Sequence, residues 1–262
     1  MRKIICIQLQ RAVFAMACAA GLCATVQAQA LAVSRPALVA AAANLQPALA
    51  ELVPLFERAR AGRVSVTLGS SANLMRQIQQ GLPAELFLSA DEDFALRLAD
   101  AGLTLDRGTV YATGRIVLLV PADSPIKLDA RLEALKAAAP RIRKFAIANP
   151  ELAPYGRAAR QALQKLELWP ALEAKVVLGE NIAQATQFVS SGAAQAGISA
   201  LSMVLVPEVA ARVHYQLIPA ELHAPLRQRM VLLKNATPAA RAFYDFLRSP
   251  AAKAVLARHG YG

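Results

Sequence analysis

From Pro36 to the C-terminus, short apolar runs rich in Val, Ile and Leu alternate with helix-length amphipathic stretches, a pattern that admits few folds. Strands are expected at Pro36–Ala41, Val64–Leu68, Glu85–Ser89, Arg115–Val120, Lys144–Ala148, Lys175–Leu178, Gln195–Ser199, Val213–Ile218 and Arg229–Leu233. Between most of them lie helices with an apolar stripe at the 3.6-residue period. Leu45, Leu49, Leu52, Val53 and Phe56 fall on one such face, and Phe243, Phe246 and Leu247 repeat the pattern near the C-terminus. Alternating β and α units imply α/β architecture, with parallel sheets covered by helices on both faces. The stretches Tyr111–Gly114 and Pro219–Leu226 read as linkers. A chain with two such passages can leave a first domain, build a second and return.

The first 30 of the 262 residues have a different character. Arg2 and Lys3 form a positive start, Val13 to Val26 is largely apolar, and Ala28-Gln29-Ala30 offers a small-x-small cleavage pattern. The apolar run is too short for a membrane span. The segment reads as a signal for export through the Sec pathway, cleaved after Ala28 or Ala30. Cys6, Cys18 and Cys23 all lie within it, and none has the small and aliphatic neighbours that lipidation requires. The mature chain is therefore expected to lack disulfides, thiolate metal sites and a cysteine nucleophile.

Loss of Arg2, Lys3 and Arg11 would lower the formal charge from +11 to +8. The remaining Arg and Lys are scattered along helices and are not interleaved with aromatics, so a nucleic-acid partner is not indicated. The basic balance loosely favours anions.

Four junctions place small or polar residues where a strand gives way to a helix. In open α/β sheets that is where ligands bind, and unpaired N–H groups at helix starts suit an anion. The junctions are AAAANLQP (residues 40–47), with Asn44; GSSANLMRQI (69–78), with Ser70 and Ser71; NPELAPYGRAA (149–159), with Tyr155; and GENIAQA (179–185), with Asn181 and the Ile182 amide. Each also has a plain structural reading: a cap for Asn44, Ser71 and Asn181, a packed ring for Tyr155, a core side chain for Ile182. Local chemistry leaves both readings open. No GxxxxGK[ST] loop is present, so nucleotide binding lacks support.

Catalytic groupings are hard to assemble. His214, His223 and His259 have no metal-ligand spacing. Asp91, Glu92 and Asp93 open a helix after a strand and match its dipole; a carboxylate pair such as Asp91 and Asp93 can also do acid–base work, as in an exported hydrolase. No base, nucleophile and orienting group occur together, so the chain is read as a non-enzyme.

The order and spacing of AAAANL (40–45), GSSANLMRQI (69–78), GLPAELFLSAD (81–91), NPELAPYGRAA (149–159), ALQKLELW (162–169), GENIAQA (179–185) and AFYDFLRSP (242–250) resemble the periplasmic molybdate-binding proteins of molybdate ABC transporters. The resemblance covers essentially the whole mature chain. It implies a two-lobed type II periplasmic-binding fold, each lobe a sheet flanked by helices, closing by hinge motion on a ligand in the interlobe cleft. The lobes implied are residues 31–114 with 226–262, and 115–225. The family's oxyanion contacts fall on Asn44, with Ala43 just before it, and on Ser71, Tyr155 and Ile182. Many relatives carry a tyrosine where this chain has Ala200, so one tyrosine hydroxyl is exchanged for another at Tyr155. The resemblance further implies a periplasmic monomer that binds molybdate or tungstate, needs no cofactor, and delivers the anion to a membrane permease.

The chemistry is consistent with that expectation. Molybdate near neutral pH is a dianion with acceptor oxygens only, so its pocket needs donors: backbone amides, hydroxyls and a carboxamide N–H₂. Neutral donors at several helix starts supply them without a buried cation. Sulfate shares this acceptor-only character and is the alternative ligand. Phosphate often keeps a proton and benefits from a buried carboxylate. The ligand-sensing half of a regulator is a third reading, disfavoured by the export signal and the missing helix-turn-helix.

Overall fold

The computed structural model describes residues 35–59, 62–129 and 132–262. The expected export signal, with Cys6, Cys18 and Cys23, lies outside the described residues. Among the described residues, ten strands form two five-stranded sheets. The first has the order β2-β1-β3-β10-β4 and draws on β1 (Ala37–Ala42), β2 (Val64–Gly69), β3 (Leu86–Leu88), β4 (Thr109–Gly114) and β10 (Leu226–Leu232). The second has the order β7-β6-β8-β5-β9 and draws on β5 (Ile116–Pro121), β6 (Phe145–Ala148), β7 (Val176–Gly179), β8 (Ala196–Ala200) and β9 (Val213–Leu217).

The sheets are mixed, which corrects the expectation of parallel ones. β1 runs parallel to β2 and β3, and β6 parallel to β7 and β8. β10 is antiparallel to β3 and β4, and β5 is antiparallel to β8 and β9. The stretch Tyr111–Gly114 is no linker: it belongs to β4, an edge strand paired with β10 alone. Leu226, assigned to the second linker, opens β10.

Period-2 alternation sorts the strand side chains between the faces. Ala37, Val39 and Ala41 of β1 enter one apolar cluster and Ala40 the opposite one. In β5, Ile116, Leu118 and Val120 face one cluster, Val117 and Leu119 the other. The helix Gln46–Arg58 buries Leu49, Leu52 and Phe56, as its apolar stripe requires. Phe56 meets Phe243 of the helix Pro238–Leu247 edge-on, with ring centroids 4.9 Å apart. Each such fully buried side chain contributes about 1.5–3 kcal/mol.

The chain passes from the first sheet to the second through Arg115 alone, between β4 and β5, and returns after β9 into β10. The C-terminal ends of β1, β2, β6 and β7 each lead into a helix start, and those four starts build the site.

Candidate functional site

Ala43, Asn44, Ser71, Tyr155 and Ile182 line one small cavity of about 10 Å³, together with Ser70 and Asn181. Residues spread over some half of the chain thus meet at one point. Larger cavities lie elsewhere; one of about 710 Å³, near Ile126, Ala134 and Ala138, is lined largely by apolar side chains and has no converging helix starts. Size alone therefore points away from the donors, and the donor chemistry is the better guide.

Each junction presents its donors in its own way. After β1 the chain turns through a 3₁₀ helix, Ala43–Leu45, whose first amides have no partner within the helix. Asn44 is not a cap. Its Nδ2 donates to Gln228 Oε1 at 3.0 Å and to the Tyr261 hydroxyl at 2.8 Å. Its carbonyl accepts from Tyr261 at 2.7 Å and from Ser202 Oγ at 2.9 Å. Both carboxamide hydrogens are spent within the protein, and Oδ1 is buried without a partner.

After β2, the helix Ser71–Gln79 starts with no side-chain cap from Ser70. Ser71 Oγ accepts from the Ala90 amide at 3.0 Å, which leaves its own proton to donate. Ser70 Oγ is buried and unpartnered. After β7, Asn181 does cap its helix: Oδ1 takes the amides of Ala183 at 3.0 Å and Gln184 at 3.1 Å. That leaves the Ile182 amide, first in the helix Ile182–Ser190, without an intrahelical acceptor, while the Ile182 side chain joins the core.

After β6, the helix begins at Pro154, with Tyr155 in its first turn. Tyr155 is 2% exposed, and its hydroxyl accepts from Gln228 Nε2 at 2.9 Å. Burial pushes its pKa well above the ordinary tyrosine value, so the hydroxyl keeps its proton at any physiological pH. Gly114, beside the crossing between the sheets, makes room for this pair. A Cβ there would collide with the Tyr155 hydroxyl and lie 2.7 Å from Gln228 Nε2.

The two halves touch around the cavity. The Ala72 amide donates to the Leu152 carbonyl at 3.1 Å, and Asn73 Nδ2 to Glu180 Oε1 at 2.8 Å. Arg157 pairs with Asp91, and with Asp93 at 3.3 Å. Asp91 Oδ1 also accepts from Ser89 Oγ and the Phe94 amide, so this carboxylate serves an ion pair and a helix start rather than a water or a nucleophile.

Gln228, Tyr261, Tyr111, Gly114 and Arg157 are absent from the site residues that the sequence singles out. For Gln228 a signal existed: in LRQRMVL it shares the inward face with Leu226 and Met230, where a polar side chain needs a buried partner. Tyr261 is placed by Gly262, which exchanges two backbone bonds with Thr113 of β4, at 2.7 and 3.0 Å.

Residues 37–262 match the family model described as "Bacterial extracellular solute-binding protein". A molybdate-binding protein ModA from Azotobacter vinelandii is 37% identical over 227 residues, covering 86% of this chain and 88% of the relative. One from Rhodobacter capsulatus is 34% identical over 227 residues, covering 86% and 87%. The solved Azotobacter vinelandii periplasmic molybdate-binding protein superposes with a TM-score of 0.78 at 31% identity, over 86% of this chain and 98% of that one. The sulfate-binding protein SubI from Mycobacterium tuberculosis shares the fold, with a TM-score of 0.74 at 20% identity, over 86% of each chain.

Proposed function

The chain belongs to the bacterial extracellular solute-binding proteins, and on that premise we propose that it captures molybdate in the cleft between its two lobes for an ABC transporter. It is a binding protein and not an enzyme, with molybdate as ligand rather than cofactor. The observation that carries the reading is the meeting of four helix starts at one cavity, with two hydroxyls, Ser71 and Tyr155, each already accepting from an N–H of the protein. Their protons face no competing protein acceptor and suit a ligand whose oxygens only accept.

In this proposal the anion is held by the amides of Ala43, Asn44, Ser71 and Ile182 and by the hydroxyls of Ser71 and Tyr155. Asn44 contributes through its backbone, since its carboxamide is occupied. In this reading lobe I runs over residues 31–114 and 226–262, of which 31–34 lie outside the described residues, and lobe II over residues 115–225. A cavity of about 10 Å³ has room for roughly one water. The lobes must therefore part to admit an anion and close over it, the hinge motion of such folds. Tungstate, with the same charge and tetrahedral shape, is accepted as well. The protein is exported through the Sec pathway, works as a periplasmic monomer and hands its anion to a membrane permease.

Sulfate is the second reading, since it too is an acceptor-only tetrahedral dianion. A thermal-shift panel of the mature protein with molybdate, tungstate, sulfate, phosphate and amino acids separates the two. A ligand at a hundred times its Kd stabilises by about 2.7 kcal/mol, which raises the midpoint by about 5–10 °C for a chain of this size. Molybdate and tungstate are expected to give that shift and sulfate none. A shift with sulfate alone would overturn the assignment.

A further inference from the structure

A phenolic hydroxyl can accept or donate, and which face Tyr155 shows to the cleft is decided by the groups behind it. The Asn44 carbonyl can only accept, so the Tyr261 hydroxyl, 2.7 Å away, must donate to it. With that proton committed, Tyr261 accepts from the Asn44 side chain, which must present Nδ2 there, at 2.8 Å. The same Nδ2 lies 3.0 Å from Gln228, which must then present Oε1. The Tyr111 hydroxyl lies 3.0 Å from that oxygen and 3.3 Å from the Ser89 carbonyl, and its one proton is shared between these two acceptors. The other end of Gln228 is therefore Nε2, and it donates to the Tyr155 oxygen at 2.9 Å. Carboxamide orientations are ordinarily assigned from such networks; here the whole series is anchored on a backbone carbonyl whose polarity cannot change.

We propose that Gln228 is a positioning residue that sets the polarity of the cleft: by donating to Tyr155 it turns that hydroxyl into a fixed donor and so selects unprotonated oxyanions over those that carry a proton. The inference rests on the oxyanion reading of the cleft. Gln228 is fully buried, at a bulge in β10, and makes no contact with solvent that would explain a carboxamide there. Ser71 shows the same arrangement by a different route, its Oγ accepting from the Ala90 amide. An anion such as hydrogen phosphate needs one acceptor from its site, and at each of these hydroxyls one lone pair is already taken by an N–H of the protein, so that each presents its proton first. Specificity of this kind is a difference between two affinities, produced by what the site refuses as much as by what it binds.

The test is a double-mutant cycle of Gln228→Leu and Tyr155→Phe, reading the affinities for molybdate and for hydrogen phosphate by calorimetry and displacement. Gln228→Leu frees the Tyr155 hydroxyl to turn, so the molybdate-to-phosphate affinity ratio should fall by about tenfold. In the Tyr155→Phe background the same substitution should leave the ratio unchanged. A purely structural role would weaken both anions in proportion and act equally in either background, which would overturn the proposal. Gln228→Glu serves if the leucine variant does not fold: it keeps the acceptor for Asn44 and Tyr111. An ionised glutamate draws the Tyr155 proton away and a protonated one can donate to it. Molybdate affinity of that variant should therefore fall as pH rises from about 6 to 9 while the parent's stays level, and a level profile in both would overturn the proposal. The titratable groups in this network are Tyr111, Tyr155 and Tyr261, all pushed upward by burial and silent in that range. A parent protein that binds no molybdate at all would overturn the oxyanion reading and this inference together; a parent that binds, with an unchanged ratio in the variants, overturns this inference alone.

Discussion

Arg157, in the helix that follows β6, reaches across to pair with Asp91, in the loop that follows β3. The same guanidinium bonds Asp93 and lies 5.3 Å from the centroid of the Phe94 ring. The two ends of the pair are not equivalent. Burial raises the Asp91 carboxyl above its usual value, against the opposing pull of Arg157, the Phe94 amide and Ser89. Arg157 is about one-third exposed and keeps Asp93 and solvent as alternatives. Removing the cation should therefore cost more than removing the anion. Arg157→Gln strands a buried carboxylate and is expected to lose about 1–3 kcal/mol, the usual cost for such a group discounted for its partial exposure. Asp91→Asn retains the acceptor for Phe94 and should lose under about 1 kcal/mol. Urea denaturation of both variants checks this, and equal losses would show that the pair acts symmetrically.

Because the pair bridges the lobes, it should also bias closure. Arg157→Gln is expected to leave the unliganded protein more open, with a larger radius of gyration by small-angle scattering, and to compact on saturation with molybdate. Identical radii with and without the ligand in the parent protein would argue against a closing cleft.

Titration should be silent near neutrality and abrupt in alkali. The cavity residues include no titratable side chain but Tyr155, so molybdate affinity is expected to be level between about pH 7 and 9. Burial raises Tyr111, Tyr155 and Tyr261 in the folded protein above the ordinary value of 10.0. The unfolded chain releases those protons first, so their contribution to stability is whole below about pH 10 and is lost as pH rises towards the folded values. Unfolding above pH 10 should accordingly coincide with the rise of tyrosinate absorbance. Tyrosinate absorbance from all three appearing well before unfolding would contradict it.

Gly114 gives a sharper mutational test of the crossing. Its Cβ would occupy the place of the Tyr155 hydroxyl and crowd Gln228, both at the point where the chain enters the second sheet. Gly114→Ala should leave the sheets intact, cost about 1–3 kcal/mol through overpacking, and lower molybdate affinity at least tenfold by displacing the hydroxyl. Unchanged affinity measured by calorimetry would mean that the hydroxyl is not part of the site.

What could be read beforehand follows the physics of each element. β5 was legible because it is an interior strand buried on both faces, so every residue from Ile116 to Val120 must be apolar. Tyr111–Gly114, the end of β4, reads as a linker in the sequence because an edge strand paired on one side tolerates polar residues and glycine. Strand direction was illegible, since alternation looks the same in parallel and antiparallel ladders, and β10 returns from the second sheet to run against β3. The helix starts were legible as local patterns. The network that orients them was not: Asn44 finds Gln228 at a separation of 184 residues and Tyr261 at 217, and no short-range pattern records such a partner.

Ser71 and Tyr155 provide the paired test of the donor set. Each hydroxyl accepts from an N–H of the protein, so each has one proton to give and removing either oxygen takes one bond to a charged acceptor from the ligand. Such bonds are worth about 1.5–3 kcal/mol, a 10- to 150-fold loss of affinity. The two substitutions should differ in what they leave behind. Ser71→Ala unpairs the Ala90 amide, a donor beside the cavity that can meet the anion's oxygens, directly or through a water, so its loss should fall at the lower end. Tyr155→Phe keeps the ring in its apolar cluster and unpairs Nε2 of Gln228, a fully buried residue outside the cavity lining, so its loss should fall at the upper end. Ala200 is fully buried in the same cluster, so a tyrosine in its place would overpack it. Calorimetry on both variants decides the matter. A change under twofold for Tyr155→Phe, beside a Ser71→Ala that does weaken binding, would make the Tyr155 hydroxyl structural and leave Ser71 as the hydroxyl donor.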